Sequence, residues 1–324
     1  MTLHVTNGDI VVDLLRRAGL ATDALAWADV LHEGPVPDGL DDAGLRRTRA
    51  EFLAGADGGD TAEALRRLTE RDRALAGGRA GDYLLWFEAD LYDQLQVAQI
   101  LATLGDLGVD PDRVTLVCIG EFPGIAHFGG LGELVPEQLG GLLATAATPL
   151  TAEALGLGAA AWAALRAPDP GGLGQIVASR SPQLRFLSEA FDRLAREYPS
   201  TRDGLSLTER RILAATPEAG TPAGTVFARL GEREARPYLG DLFFFRIVAR
   251  LAGAAVPLLE LDPPGGPVDG GTRLRRTEAG DRVLLGLADH VALNGIDRWV
   301  GGVHLQGPEA PWRWDEGTET VTRR

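Results

Sequence analysis

Apolar and polar positions change period along this chain, from runs that suit buried strands to stripes that suit helices. Residues 3–7 (Leu-His-Val-Thr-Asn) alternate as a short strand. Gly8-Asp9 then turns into a helix from Ile10 to Ala18, with Asp9 as its cap and Gly19 closing it. A second strand is predicted over 24–31, ending in His32-Glu33-Gly34-Pro35. From 40 to 78 the pattern is helical and charged, which predicts two surface helices separated by the Gly-rich turn at 55–59. Asp82-Tyr-Leu-Leu-Trp-Phe-Glu88 reads as a buried strand that runs straight into a helix over 91–107. Leu91, Leu95, Ala98 and Leu101 form the inward stripe of that helix. The apolar run 113–120, closed by Gly120, carries the mark of a central parallel strand. A Gly-rich loop (121–133) leads from it to a helix starting near Pro136.

Beyond 150 the pattern becomes helical through 198. Ser206-Leu-Thr-Glu209 is a capping box for a helix to Ala215. A second helix follows Thr221-Pro222, and a third is predicted from Glu232 to Leu251. A strand (257–261), a Gly/Pro turn and an Arg-rich strand (Thr272-Arg-Leu-Arg-Arg-Thr277) come next. The tail, with Asp297-Arg-Trp and Trp312-Arg-Trp-Asp315, reads as a strand pair with Trp anchors. Strands alternating with helices imply an α/β N-terminal domain at 1–150, with a parallel, Rossmann-like sheet. Residues 151–200 form a helical connector in this reading. Three helices and a two-stranded ribbon make 201–324 a winged-helix-like α+β domain with a C-terminal strand pair.

Composition narrows the function classes. The 324 residues are 45% apolar and 24% charged, which suits a soluble globular protein of two domains. No apolar run reaches the roughly 18–20 residues that span a bilayer, so no membrane partner is expected. The start of the chain enters a strand pattern without a basic region or cleavage site, and the single cysteine, Cys118, excludes an intramolecular disulfide. A cytoplasmic location is the expectation. All 32 basic residues are Arg, which excludes a Lys-dependent phosphate loop and Schiff-base chemistry. Net charge is −14, placed unevenly: residues 1–200 hold 16 Arg against 29 Asp and Glu, and residues 201–324 hold 16 against 17. An acidic N-terminal half repels phosphate backbones and suits cations or cationic ligands.

Candidate chemistry gathers at the carboxyl ends of the predicted strands, where open α/β sheets bind ligands. Glu88, Asp90 and Asp93 crowd one strand-to-helix junction. Asp90 and Asp93 also fit as N-cap and third helical residue, whereas Glu88 has no capping duty. His32 and Glu33 close a neighbouring strand and are candidates, with Glu88, for acid/base work. Asn7, Gly8 and Asp9 at the first strand-to-helix turn, Gln94 on the following helix and His127 in the Gly-rich loop are candidate ligand contacts. No cofactor is identified. The carboxylate supply leaves room for a divalent metal held by oxygen ligands, with His32 as the nitrogen. His4, inside a strand, reads as a satisfied core histidine.

His-Val-Thr-Asn-Gly-Asp, Leu-His-Glu-Gly-Pro-Val, Trp-Phe-Glu-Ala-Asp-Leu-Tyr-Asp-Gln-Leu-Gln and Phe-Gly-Gly-Leu-Gly-Glu-Leu together resemble bacterial proteins grouped as domain of unknown function 1835. The resemblance covers about residues 2–150. It implies that Asn7, Asp9, His32, Glu33, Glu88, Asp90, Asp93 and Gln94 fall in family motifs, and it carries no catalytic role across.

The leading expectation is a protein that binds, and transforms if it is an enzyme, a small polar molecule at the carboxyl edge of the sheet. The alternative is a winged-helix transcriptional regulator whose N-terminal domain senses a ligand. Its DNA contacts would be Arg233 and Arg236 on the third helix and Arg273, Arg275 and Arg276 on the wing. Duplex DNA is disfavoured as a partner by the charge balance.

Overall fold

The computed structural model describes residues 2–126 and 128–324. The chain forms two compact units that meet in sequence at Asp192/Arg193. In the first lie β1 (Thr2–Thr6), α1 (Asp9–Arg17), β2 (Ala24–Ala26), α2 (Asp42–Asp57), α3 (Thr61–Gly77) and β3 (Asp82–Glu88). They are followed by α4 (Leu91–Asp106), β4 (Val114–Ile119), α5 (Pro136–Thr145), β5 (Ala147–Pro149), α6 (Ala152–Arg166) and α7 (Leu173–Ala178). The boundary between units falls within α8 (Leu187–Ala195). Among the described residues no helix is long and apolar enough to cross a membrane.

The first unit is built on a five-stranded sheet of order β2-β1-β3-β4-β5. The first four strands run parallel and β5 is antiparallel to β4. The sheet is therefore mixed and mostly parallel. β3 and β4 hold its centre because apolar residues line both their faces, which only a strand covered on both sides can bury. Trp86, Val117 and Ile119 pack on one face against α1, α5 and the loop residues Leu131 and Leu134. On the other face Cys118 meets Gln94 of α4. α4 in turn lies along α6, where a Cβ on Gly158 would stand 2.6 Å from the Leu101 side chain. That close approach explains the Ala/Gly-rich sequence of α6. The helices expected as a connector at 151–200 thus begin inside the first compact unit, which includes α6 and α7.

Two sequence expectations change here. The strand predicted over 24–31 stops at Ala26. Asp29 is drawn inward by Arg49 of α2, whose guanidinium also donates to the carbonyls of Val30, Glu33 and Pro35. Those backbone acceptors are spent on a side chain, so 29–35 is a buried loop. At α1 the N-cap is Gly8, with no side-chain cap, and Asp9 is the first helical residue rather than the cap.

The second unit contains α9 (Leu207–Ala215), β6 (Thr221–Pro222), α10 (Ala223–Arg233), α11 (Asp241–Gly253), β7 (Leu259–Asp262) and β8 (Arg273–Arg276). Ser206 and Glu209 form the expected capping box of α9. β6-β8-β7 is an antiparallel sheet, and its core includes Ile212, Val226, Phe244, Ile247 and Leu274. The third helix starts at Asp241, not Glu232, because Pro237 and Gly240 interrupt the charged pattern that suggested the earlier start. After α12 (Glu278–Leu284) and α13 (His290–Asn294), the tail forms two antiparallel hairpins. They are β9 (Asp297–Val300) with β10 (Val303–Gln306), and β11 (Trp312–Asp315) with β12 (Thr320–Arg323). One predicted strand pair is therefore two.

Candidate functional site

β1 has β2 on one side and β3 on the other, so the order of connection reverses between β1 and β3. In open α/β sheets such a reversal opens a crevice beyond the carboxyl ends of the two strands. Asn7 directly follows β1, and Glu88 is the last residue of β3. Their side chains meet there: Asn7 Nδ2 donates to Glu88 Oε1 at 3.1 Å. The same amide reaches Asp93 Oδ1 and Oδ2, at 3.0 and 3.1 Å.

Local sequence explains how two carboxylates come to face one amide. Asp90 caps α4 by accepting from the Asp93 backbone N–H at 2.9 Å, which sets Asp93 on the first turn. From that turn Asp93 accepts the backbone N–H of Glu88 at 2.5 Å. Gln94 Nε2 donates to the Glu88 carbonyl at 2.6 Å and so locks the end of β3 to α4. Strand alternation sends the Glu88 side chain to the face of Trp86, beneath the loop that follows β4. There its Oε1 accepts the Leu131 N–H at 2.6 Å. Gly130, at φ +138°, lies against the same carboxylate, and a Cβ on it would stand 2.4 Å from Glu88 Oε2.

The electrostatics follow from burial. Glu88 is 8% exposed and Asp93 is 0% exposed. Desolvation raises the Glu88 pKa, the Glu133 charge adds to that, and the Leu131 and Asn7 donors oppose it. Asp93 is raised well above the ordinary aspartate value, first by burial and then by the charges of Asp90 and Glu88. The environment thus favours protons on this pair, as for other carboxyl groups crowded in a dry site.

The predicted residues divide clearly. Asn7, Glu88, Asp90, Asp93 and Gln94 come together. Asp93 and Gln94 are buried and bonded to the strand end, so they hold Glu88 in place instead of presenting surface to a ligand. His32 lies edge-on to Tyr92, with ring centroids 6.0 Å apart, and Tyr92 donates its hydroxyl to the Asn7 carbonyl at 3.5 Å. His32 therefore packs on a ring that itself bonds to Asn7. Glu33 is buried in the loop that Arg49 grips, and Asp9 is exposed at the start of α1. His127 lies outside the described residues. Among the described residues no three His, Cys, Asp or Glu side chains converge to hold a metal ion, so the oxygen set with His32 as nitrogen is not formed. His4 accepts from Trp86 Nε1 at 3.1 Å, and burial lowers its pKa.

Four contributors are missing from the sequence expectations. Tyr92 sits inside the motif that was read, between two residues that were chosen. The Leu131 amide and Gly130 belong to the Gly-rich loop, whose doublet Gly129-Gly130 was the available signal. Arg185, which donates to the Cys118 carbonyl at 3.1 Å and brings a cation to the end of β4, has no local signature. Cys118 itself is held protonated by burial, with its pKa pushed far up. Compared with known proteins, the chain matches no family model and no curated protein.

Proposed function

We propose that the protein binds a small polar molecule at the carboxyl edge of the sheet, between β1 and β3, and that Glu88 is the group that meets it. The observation that carries this reading is the single Asn7 amide shared by two buried carboxylates at the strand-order reversal. The network keeps the carboxyl group oriented, while burial keeps its proton affinity high against the Asn7 and Leu131 donors, which suits hydrogen-bond donation to a ligand oxygen or exchange of a proton with it. Asp93 and Asn7 position Glu88, and Tyr92 with His32 behind it forms the neighbouring wall. The resemblance to the domain of unknown function 1835 group belongs to this reading, because these residues lie in the quoted motifs. A cytoplasmic setting goes with it. The test is calorimetric screening of small polar compounds against the wild type and Glu88→Gln. A compound that binds the wild type and loses at least about tenfold in affinity with Glu88→Gln supports the reading. Equal affinity for both proteins removes Glu88 from the site.

One observation supports the second reading, a winged-helix-like regulator. β6, between the first two helices of the second unit, pairs with β8 of the returning ribbon, as a wing arrangement requires. The arginines argue against DNA as its partner. Arg275 pairs with Glu260 at 2.8 Å, and Arg276 bonds Asp281 and the carbonyls of Leu213 and Thr216. Arg273 donates to the Gly220 carbonyl, Arg233 ends α10, and Arg236 precedes α11. A protein or ligand-coupled role for this unit fits those contacts better than phosphate binding.

A further inference from the structure

On the helical side of the first unit a cavity of about 300 Å³ opens between α2, α3, α4 and α6, apart from the Glu88 cluster. That volume is at the lower end of small-molecule sites. Trp27 and Trp162 line it, with Arg46, Arg71, Asp72 and Gln99.

Its charges do not balance. Asp29, also on the wall, is fully engaged by Arg49 at 2.7 Å. Asp72 is then the one inner carboxylate for two guanidinium groups: its Oδ1 accepts from Arg71 Nε and Nη2, and its Oδ2 from Arg46 Nη1. Asp42 stands at the exposed start of α2, and Arg73 is exposed as well. One positive charge is left over along the cavity wall.

Arg71 marks where the missing anion belongs. The residue is 7% exposed, and its guanidinium lies 3.8 Å from the centroid of the Trp27 ring. Its Nη1 is buried, yet among the described residues it has no hydrogen-bond partner. A buried donor on a charged group left unsatisfied is costly, so it calls for an acceptor. Arg71 is part of the cavity wall, so an acceptor bound there lies beside this guanidinium. Gln99 uses its Oε1 to accept the Trp27 indole N–H at 3.0 Å, so the donor end of its amide remains for a ligand oxygen.

We infer that this cavity binds a small organic anion, a carboxylate or phosphate whose oxygen accepts from Arg71 and Arg46 while its apolar body lies against Trp162. The Trp162 indole explains the preference for an organic body over a bare ion, since a flat apolar wall gains from burying apolar surface.

Benzoate, phenyl phosphate and inorganic phosphate serve as probes, titrated into the full chain and followed by calorimetry and tryptophan fluorescence. The expected result is saturable binding of one organic anion per chain with a change in indole emission, at least about tenfold tighter than inorganic phosphate. Arg71→Met removes the donors and should abolish it. Ala76→Phe fills the cavity from its lining without touching any arginine, so it decides the matter should Arg71→Met fail to fold. Glu88→Gln should leave the binding unchanged, which separates this site from the sheet-edge site. No saturable binding at millimolar probe, equal affinity for inorganic phosphate, or binding retained in Ala76→Phe would each overturn the assignment.

Discussion

The backbone N–H of Glu88 donates to the side chain of Asp93 at 2.5 Å, so the end of β3 and the first turn of α4 are held by one carboxylate. Asp93 is fully buried and lies beside the negative charges of Asp90 and Glu88. The junction therefore ties a structural bond to a titrating group.

The sign of the resulting pH dependence is fixed by the direction of the shifts. Both native carboxyl pKa values lie above their ordinary values of 3.8 for Asp and 4.5 for Glu. The native state then holds more protons than the unfolded one between those values and the raised native ones. The contribution is fully present below the ordinary values and is lost as pH rises through the native ones. Chemical denaturation of the wild type from pH 4 upward should show stability declining across that window. Asp93→Asn should flatten the decline, and parallel curves for the two proteins would contradict it.

Gly130 answers to both φ and space. Alanine there must adopt φ +138° and press against Glu88 Oε2. Gly130→Ala should cost about 1–3 kcal/mol and shift the Glu88 carboxylate. Gly140 in α5 has open space around it, and Gly140→Ala should be neutral or stabilising by up to about 1 kcal/mol. Equilibrium unfolding of both variants checks the contrast.

Arg49 holds a buried loop through one ion pair and three carbonyls. Removing it leaves Asp29 buried without its cation, and Arg49→Met should cost about 3–5 kcal/mol. The double variant Arg49→Met with Asp29→Leu should recover part of that loss in a double-mutant cycle. Additive losses would mean that the pair is not coupled.

In the second unit Glu197 is buried between Arg193 and Arg298, each at 2.7 Å, and accepts the Thr208 hydroxyl at 2.5 Å. Burial alone would raise its pKa, but the two guanidinium groups and the hydroxyl outweigh it and hold the carboxyl far below its ordinary value of 4.5. Its stabilisation is complete above that value and disappears as pH falls through the native one. Glu197→Gln should destabilise by about 3–5 kcal/mol at neutral pH and remove part of the acid unfolding limb, read by circular dichroism from pH 7 to 2.

The arginines of β8 are engaged within their own unit, and the acidic N-terminal half adds repulsion. A mobility-shift titration at physiological salt should give no tight complex with duplex DNA. A salt-sensitive complex lost on Arg275→Ala with Arg276→Ala would restore the regulator.

What the sequence determined by itself is local. The apolar runs of β3 and β4, the Asp90 cap three residues before Asp93, and the capping box at Ser206 depend on neighbours within a turn, and periodicity reports such preferences directly. The third helix was also legible, since Pro237 and Gly240 stand in its predicted first turns; the charged pattern around them masked the break. Tertiary structure decided the partners. The Leu131 amide lies 43 residues from Glu88, Arg49 lies 20 from Asp29, and the Arg71 ring contact spans α3 to the end of β2. With Arg as every basic residue, nothing along the chain distinguishes the one that grips a loop from the one that faces a cavity. That choice is made by which helices pack together, because burial turns an ordinary guanidinium or carboxyl into one that must find a particular partner.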